Sequence, residues 1–448
     1  MRAVHKLERY VNVGTKMMRC GYTTGTCAAG AARAAAETLF AGAPVDSVIV
    51  ETPAGISVEL DIEQLERGDG WVRCAVRKDG GDDPDVTDGA LVFATVTRSD
   101  EPGVRIDGGL GVGRVTRPGL DQPIGAAAIN STPRSMIAAQ VEQTARECGY
   151  AGGADVEISI PAGVELAKRT FNPRLGIEGG LSVLGTSGIV RPMSAASLIG
   201  SLEIEMRQLA AEGEKRLLLA PGNYGRDFAR DVLGLSVERC VQCSNYLGEA
   251  LDRAVTLGFE TVLVIGHIGK LVKVAAGNMN THSRVSDARR ETLAAHAALA
   301  GASRELVAAL MDAGTTDEML DLLDDAGLVE PVMATVTERI ERQLEHRTCG
   351  KLTVAAVVFS KTRGELGRTS HATELVERYL HEGGSSEGGT REGGTHGGGP
   401  RRAGMHEDNS GEDGLREGNP SEGDPGEGAS REPGPSGHGS RAPHSSMA

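Results

Sequence analysis

Four times after about residue 172, a short apolar run ends in glycine or small polar residues before helical spacing of apolar residues resumes. The runs are LSVLG at 181–185, RLLLA at 216–220, VERCVQC at 237–243 and TVLVIG at 261–266. Short runs of Leu, Val and Ile are typical of strands buried in parallel sheets. Because repeated strand–turn–helix units imply crossover connections, the pattern predicts an α/β domain with a parallel, Rossmann-like sheet.

The turns after these strands should meet at the carboxyl edge of the sheet, where open α/β folds bind ligands. Backbone N–H groups at the following helix starts favour an anionic or polar ligand. The ligand-binding residues predicted at this edge are Gly185, Thr186, Gly188, Gly222, Asn223, Gly266, Gly269, Lys270, Thr281 and Arg284. His267 and His282 are candidates for a general acid or base, although packing roles suit them as well.

The first part of the chain has a different pattern. Alternating runs at 45–52, 56–62, 71–78 and 90–97 predict the strands of a mixed or antiparallel sheet. Thr24 or Thr26 can cap a helix that the alanines after Cys27 propagate. The start of that helix makes Thr24, Gly25 and Thr26 candidate ligand residues, with an ordinary capped core helix as the alternative. We therefore predict an N-terminal α+β domain over residues 1–165 and a C-terminal α/β domain over residues 166–365.

Two glycine-rich or acidic stretches interrupt this first domain. The run from Asp107 to Gly113 resembles a dinucleotide-binding turn, but RVTRPGLDQPIG follows where that motif needs a helix. A loop that touches a ligand through its backbone is the better interpretation. Near residues 79–85, four aspartates lie close enough to repel one another, so they are expected to bind a cation or share protons. Asp83 is therefore a third catalytic candidate.

Cysteine spacing gives little evidence for a metal site. The seven cysteines are scattered, and Cys240 and Cys243 lack a second Cys/His pair at zinc spacing. We expect both to pack in the core. The run GHIGK at 266–270 also lacks the glycine spacing of a complete phosphate-binding loop. A phosphate-ester or nucleotide enzyme that used this turn would depend on Mg²⁺.

The last residues, 382–448, differ from the rest of the chain in composition. They hold 19 of the 62 glycines and contribute −6 of the net charge of −15, which leaves −9 for the body. Without aromatic residues they cannot bury enough apolar surface to fold, so a disordered tail is predicted. The acidic body disfavours nucleic acid as a partner, and no run approaches a membrane span. The sequence predicts a cytoplasmic protein and leaves homo-oligomerisation open.

Several long motifs resemble those of the cobalt-precorrin-5B (C1)-methyltransferase family of anaerobic cobalamin biosynthesis. They are GYTTGTCAA at 21–29, DGGDDPDVTDGA at 79–90, GVGRVTRPGL at 111–120, NPRLGIEGGLSVLGTSGIVRPMS at 172–194, APGNYG at 220–225 and GHIGKLVKVAAGNMNTHSRVSDARRE at 266–291. The resemblance extends over roughly residues 18–365, and the tail lies outside it.

This resemblance implies an enzyme that transfers a methyl group from S-adenosyl-L-methionine to C-1 of cobalt-precorrin-5B, giving cobalt-precorrin-6A. Cobalt would arrive with the tetrapyrrole, so no protein-bound metal is expected. The substrate carboxylates could be received by Arg134, Arg174, Lys270, Lys273 and Arg284. A non-catalytic corrinoid or nucleotide-binding carrier with the same cleft is the alternative.

Overall fold

The computed structural model describes residues 5–383. The first part of the chain contains β1 (Tyr10–Val13), β2 (Lys16–Arg19), β3 (Gly21–Tyr22), α1 (Thr24–Ala41), β4 (Ser47–Glu51), β5 (Ser57–Asp61), β6 (Gln64–Gly68), β7 (Trp71–Arg77), β8 (Leu91–Ser99), β9 (Val104–Gly108), β10 (Gly111–Val112), β11 (Arg114–Val115), α2 (Ser131–Glu147), β12 (Gly153–Ser159), α3 (Gly163–Ala167), β13 (Ile177–Glu178), β14 (Gly180–Leu181) and β15 (Ile189–Val190).

The second part contains mostly helices around one sheet. Its elements are α4 (Ala195–Ala211), β16 (Arg216–Ala220), α5 (Asn223–Asp231), β17 (Cys240–Gln242), α6 (Leu247–Thr256), β18 (Thr261–His267), α7 (Ile268–Ala275), α8 (Arg289–Leu299), α9 (Arg304–Asp312), α10 (Thr316–Asp325), α11 (Val329–Thr348), β19 (Thr353–Ser360), β20 (Gly364–Arg368) and α12 (Ala372–Gly383). Within residues 5–383, no helix combines the length and apolar character needed to cross a bilayer.

The N-terminal core is built around the alanine-rich helix α1. Its alanines from Ala28 to Ala36 are almost all fully buried, and their small side chains allow α2 and the sheet strands β7 and β8 to approach closely. The five strands follow the order β6-β7-β8-β12-β9. All pairs are antiparallel except β9 with β12. The prediction of a mixed sheet is confirmed, although the first two alternating runs form a separate pair, β4 with β5.

The second sheet has the strand order β17-β16-β18-β19-β20. Its first four strands are parallel and β20 is antiparallel. Alternate residues face opposite layers: Leu217 and Leu219 join the core with α4, α6, α7 and α11, while Leu218 packs with Phe228 of α5 and with α12. This part of the fold is therefore doubly wound, and the prediction of an α/β domain with a parallel sheet is confirmed. The second strand, β17, is the sheet edge, and the third, β18, lies on the other side of the first. The dinucleotide-binding order instead places the third strand beyond the second, so the Rossmann-like detail is not confirmed.

One of the four predicted strand units lies elsewhere. The run LSVLG does not enter the parallel sheet, because Gly180 and Leu181 pair with Gly111 and Val112. A few residues later, β15 pairs with β3 beside the start of α1. Backbone pairing thus ties this segment to the N-terminal part of the protein. Only three of the four predicted turns reach the carboxyl edge, and Thr353–Ser360 supplies the fourth parallel strand.

The hydrophobic side chains form separate large clusters on the two sheets. One contains buried residues from Cys20 to Ile189, and another contains residues from Leu202 to Val358. Both clusters nevertheless lie within one compact unit that contains all the described residues. The domain boundary at residue 165 therefore stays a prediction. Most of the tail predicted as disordered, from residue 384 onward, lies outside the described residues.

Candidate active site at the carboxyl edge of the parallel sheet

The strand order opens a crevice beside the end of β16. This strand has β17 on one side and β18 on the other. The helix after β16 packs on one face of the sheet, while the helix after β18 packs on the opposite face. Such a switch in connection direction leaves a gap between the loops, and ligands of doubly wound folds bind there. Gly222 lies on one side of this gap and His267 on the other.

Lys270 extends across the crevice. Its Nζ donates hydrogen bonds to Ser244 O at 3.2 Å and to Asn245 Oδ1 at 2.9 Å. The position of a Cβ added to Gly222 would be only 3.6 Å from the same nitrogen. Burial lowers the pKa of Lys270. With two of its three protons on neutral acceptors, the ammonium has one proton left for an anionic ligand next to Gly222.

His267 ends β18 and caps α7. Its Nδ1 accepts a hydrogen bond from the Gly269 backbone N–H at 3.1 Å, and its ring meets Phe359 edge-on. Burial lowers the pKa of His267, so the neutral form with the proton on Nε2 suits this geometry. His267 can donate from Nε2, but accepting a proton at Nδ1 would break the cap.

Hydrogen bonds hold the loop after α7 next to the residues that line the crevice. Thr281 is buried and donates its hydroxyl to Asn245 Oδ1 at 3.2 Å. Lys273, only 3% exposed, donates to the carbonyls of Thr281 and Ser286. Lys273 thus holds the loop in place, and two of its protons are not available to substrate carboxylates. Arg134 likewise donates from its guanidinium to the carbonyls of Ile129, Ile106 and Ala127.

His282 and Arg284 lie on the exposed part of this loop. The ring of His282 accepts a hydrogen bond from the Arg284 backbone N–H at 3.1 Å. The guanidinium of Arg284 lies near Gly14, in the turn between β1 and β2. Their predicted roles in binding and catalysis remain predictions.

The two glycines around His267 have different surroundings. A Cβ on Gly266 would meet three side-chain carbons of Leu271 at 2.7 to 3.0 Å, inside the core. A Cβ on Gly269 would come no closer than 3.3 Å, to His267 Nδ1. The contact with Leu271 gives a packing reason for the glycine at 266, and its predicted role in ligand binding stays a prediction.

A cavity of about 310 Å³ opens beside Gly222 at the ends of β16 and β17. Its walls include Asn223, Ser244, Tyr246 and the carboxyl-bearing side chain of Glu205. Gly222 has φ +104° and starts α5 without a side-chain cap, so the first N–H groups of that helix face no side-chain acceptor. Burial raises the pKa of Glu205, against the opposing effect of Arg174 and Arg226.

The predicted residues near α1 form a second, separate group. Thr26 donates to Gly188 O at 2.7 Å, and Thr24 exchanges hydrogen bonds with the backbone of Leu184. The structure therefore brings Thr24, Gly25 and Thr26 together with Gly185, Thr186 and Gly188. Both threonines are buried, and a Cβ on Gly25 or Gly188 would collide with neighbouring side chains. These contacts account for the motif by packing, and its ligand role stays a prediction.

The acidic turn has a donor for each carboxylate. Arg19 pairs with Asp79, and Lys78, itself 3% exposed, pairs with Asp85. Backbone N–H groups of Arg19, Met193 and Gly80 donate to Asp82, Asp83 and Asp88 in turn. Burial works against ionisation of Asp85, but Lys78 and Thr87 outweigh it and lower its pKa. The predicted contact with something cationic is present for Asp79 and Asp85, through Arg19 and Lys78. A role of the turn in ligand binding or proton transfer stays a prediction.

The structure agrees with two interpretations of local motifs: the glycine run is not a dinucleotide-binding turn, and the two cysteines pack in the core. No helix follows Gly108–Gly113, which forms the end of β9 and the short strand β10. Cys240 and Cys243 are each 1% exposed, and burial raises the pKa of each to about 12. The described residues 5–383 contain no cluster of three or more His, Cys, Asp or Glu side chains placed to hold a metal.

Sequence reasoning missed Glu205 and Arg226. On α4, Leu198, Leu202, Glu205 and Leu209 are spaced four, three and four residues apart, so they share one face. An acidic residue on this otherwise apolar helix face was the sequence signal that could have identified Glu205 as a candidate site residue. Arg226 on α5 had no comparable signal, because its place beside Glu205 depends on how the two helices pack.

Comparisons with known proteins agree with the motifs. The family model described as CbiD matches residues 11–192, and the model described as CbiD, C-terminal domain, matches residues 280–370. A relative from Ruminiclostridium cellulolyticum is 44% identical over 84% of this chain and 99% of its own length. One from Alkaliphilus metalliredigens is 42% identical over 85% and 100%. Both are named cobalt-precorrin-5B C(1)-methyltransferase.

A solved structure is also similar in sequence. The cobalamin biosynthesis protein CbiD from Archaeoglobus fulgidus is 31% identical, with a TM-score of 0.35 over 63% of this chain and 87% of that one. The family assignment comes from the sequence matches, which span both parts of the fold and nearly the whole length of the relatives. On that basis, this chain belongs to the CbiD family.

Proposed function

We propose that this protein transfers a methyl group from S-adenosyl-L-methionine to C-1 of cobalt-precorrin-5B, in cobalamin biosynthesis. The observation that carries the proposal is the match at 44% identity over 99% of a relative named for this reaction. The geometry supports it, because the crevice at the sheet edge holds an open helix start, a glycine with positive φ and a lysine. A small-molecule site of about 310 Å³ lies within the usual size range.

The residues of the crevice suit the methyl donor. The donor carries a carboxylate, which the N–H groups at the start of α5 and Lys270 Nζ can receive. Gly222 leaves room for the donor to approach the backbone. We place the donor between Gly222, Asn223 and Lys270, with Thr281 fixing Asn245 behind them.

Methyl transfer depends on alignment of the donor methyl group with C-1 and on exclusion of water more than on a side-chain nucleophile. The electron pair of C-1 forms the new carbon–carbon bond while the methyl–sulfur bond breaks and its pair returns to sulfur, leaving neutral S-adenosyl-homocysteine. The positive charge passes to the tetrapyrrole. No protein group must accept a proton in this step, so His267, His282 and Asp83 remain candidates for positioning or later proton transfer.

Labelled methyl transfer tests the reaction. Purified protein is incubated with donor carrying a ¹³C methyl group and with cobalt-precorrin-5B, and the tetrapyrrole is analysed by mass spectrometry and NMR. We expect the label at C-1 and an equal amount of S-adenosyl-homocysteine. A carrier would bind the tetrapyrrole without incorporating label, and a phosphate-ester enzyme would need Mg²⁺. Either result contradicts the proposal.

Matched glycine variants test the donor site. Gly222→Ala should weaken S-adenosyl-homocysteine binding at least about tenfold, or about 1.4 kcal/mol. Gly258→Ala is the control, since Gly258 also has positive φ but faces open space at the opposite edge of the sheet. Lys270→Ala should weaken the same binding by about 1.5–3 kcal/mol, with exposed Lys215→Ala as its control. If calorimetry gave Gly222→Ala and Gly258→Ala the same affinity for S-adenosyl-homocysteine, the donor site would have to lie elsewhere.

A further inference from the structure

A second, larger cavity continues from the one at Gly222. It measures about 670 Å³, and both cavities include Arg174 and Glu205 in their walls. Together they form a trough whose floor is the outer edge strand β17 and its flanking residues 238–244. One wall is the face of α4 that carries Glu205. The trough therefore begins at the proposed donor site and runs towards the amino end of β17.

Four arginines line this trough, and they differ in their partners. Arg239 pairs with Glu212 and Glu214, and Arg117 donates to the backbone carbonyl of Arg174. The guanidinium groups of Arg174 and Arg226 take part in no hydrogen bond or salt bridge within residues 5–383. The Nε of Arg226 is buried and lacks an acceptor there. A half-buried guanidinium without an acceptor is unfavourable, so an anionic ligand that reached its terminal N–H groups would bind well.

The upper part of the trough also exposes apolar surface. Phe171 is 56% exposed and Leu198 is 55% exposed, and both line the cavity that contains Gly222. A large planar ligand with an apolar face and carboxylates at its edge would match this surface. The ring could pack on Phe171 and Leu198 while its edge reaches the arginines.

We propose that Arg174 and Arg226 form the subsite that receives the peripheral carboxylates of the tetrapyrrole, along the trough above β17. The inference rests on the proposed function, because a carboxylate-rich macrocycle is the substrate of that reaction. Arginine suits this role, since its planar guanidinium can bind a carboxylate through two parallel hydrogen bonds. Glu205 lies near enough to both arginines to interact with their charges, and its own charge limits how many carboxylates the subsite accepts.

The test uses two stable corrinoids that differ only at their carboxylates. Dicyanocobyrinic acid has seven free carboxylates, and its heptamethyl ester has none. Binding of each to the full-length protein is measured by quenching of fluorescence and by calorimetry. We expect the acid to bind at least about tenfold more tightly than the ester, and this preference to weaken with salt. Arg174→Gln and Arg226→Gln should each weaken binding of the acid about tenfold or more and leave the ester unaffected.

Two controls separate this subsite from general charge and from the donor site. Arg304→Gln removes an arginine at the start of α9, outside the trough, and should bind the acid like the parent protein. S-adenosyl-homocysteine should bind Arg226→Gln with unchanged affinity, because Arg226 lines only the larger cavity. The inference is overturned if the ester binds as tightly as the acid, if the parent binds neither, if both variants bind the acid like the parent, or if Arg226→Gln loses S-adenosyl-homocysteine. Failure of the proposed function would show separately, as absence of methyl transfer by the parent.

Discussion

Glu205 shows how burial alone can make one residue sensitive to pH. Burial raises the pKa of its carboxyl, and the nearby Arg174 and Arg226 only partly offset this effect. The pKa of this carboxyl is higher in the folded protein than in the unfolded chain. At a pH low enough to protonate it in both states, it does not lower the free energy of unfolding. As pH rises above the unfolded value of about 4.3, the unfolded chain ionises first and the folded state loses stability. The cost is fully present above the folded pKa.

Glu205→Gln should therefore raise the melting temperature at pH 8, by about 2 °C. The gain should be small at pH 4, where Glu205 is mostly protonated in both the folded and the unfolded protein. Thermal melts of parent and variant between pH 4 and pH 8 measure the difference. Glu345→Gln is the control, since Glu345 is exposed on α11. A stability difference that stayed constant with pH would mean that ionisation of Glu205 is not the cause.

At the scale of single elements, the acidic turn is held by a buried ion pair. Lys78 is 3% exposed and Asp85 is partly buried, so neither charge is fully solvated. Removing one partner of such a pair leaves the other charge unpaired in a poorly hydrated place, which costs about 3–5 kcal/mol. Removing both charges costs much less.

We expect Lys78→Met to lower the free energy of unfolding by about 3 kcal/mol. The double variant Lys78→Met with Asp85→Asn should recover much of that loss, because no charge stays unpaired. Urea denaturation of the parent, both single variants and the double variant completes the cycle. If the losses of the two single variants simply add, the pair is not coupled and this account of the turn fails.

Substitutions of the two glycines in the turn between β18 and α7 distinguish an effect on core packing from an effect on ligand binding. Gly266→Ala places a methyl group against Leu271 and should lower stability by about 1–3 kcal/mol. Gly269→Ala, three residues on, has no contact below 3.3 Å and should cost less. Urea denaturation measures both. Calorimetry with S-adenosyl-homocysteine, corrected for folded fraction, should give Gly266→Ala the affinity of the parent. A lower affinity would place the ligand against Gly266 after all.

At the scale of the whole molecule, the tail is predicted to be dispensable. Residues 384–448 are rich in glycine and lack aromatic residues, so they offer little apolar surface for packing. A chain ending at Gly383 should melt within about 2 °C of the full-length protein and transfer methyl groups at the same rate. Calorimetry and the labelled-methyl assay check both expectations. A drop of more than a few degrees would show that the tail packs against the body.

The local sequence determined the elements of this protein. Alternating runs predicted β7 and β8 of the mixed sheet and the separate pair β4 and β5. Cys27 and the alanines after it predicted α1, because strand and helix periods depend on neighbouring residues. The buried runs ending at Ala220 and Ile265 were recognisable as parallel strands for the same reason. The crevice beside Gly222 and Lys270 could also be predicted, since carboxyl ends of parallel strands share one edge.

Only the tertiary structure decided which elements join. Residues 181–185 look like the other strands, yet backbone pairing with Gly111 and Val112 binds that segment to the N-terminal part. The partners of the aspartates, such as Lys78 for Asp85, come from the fold of the turn rather than from charge counts. The trough with Arg174, Arg226 and Glu205 is formed by a loop and two helices that meet only through tertiary packing. No local sequence pattern predicts that these residues come together, because their proximity depends on how the layers of the fold pack.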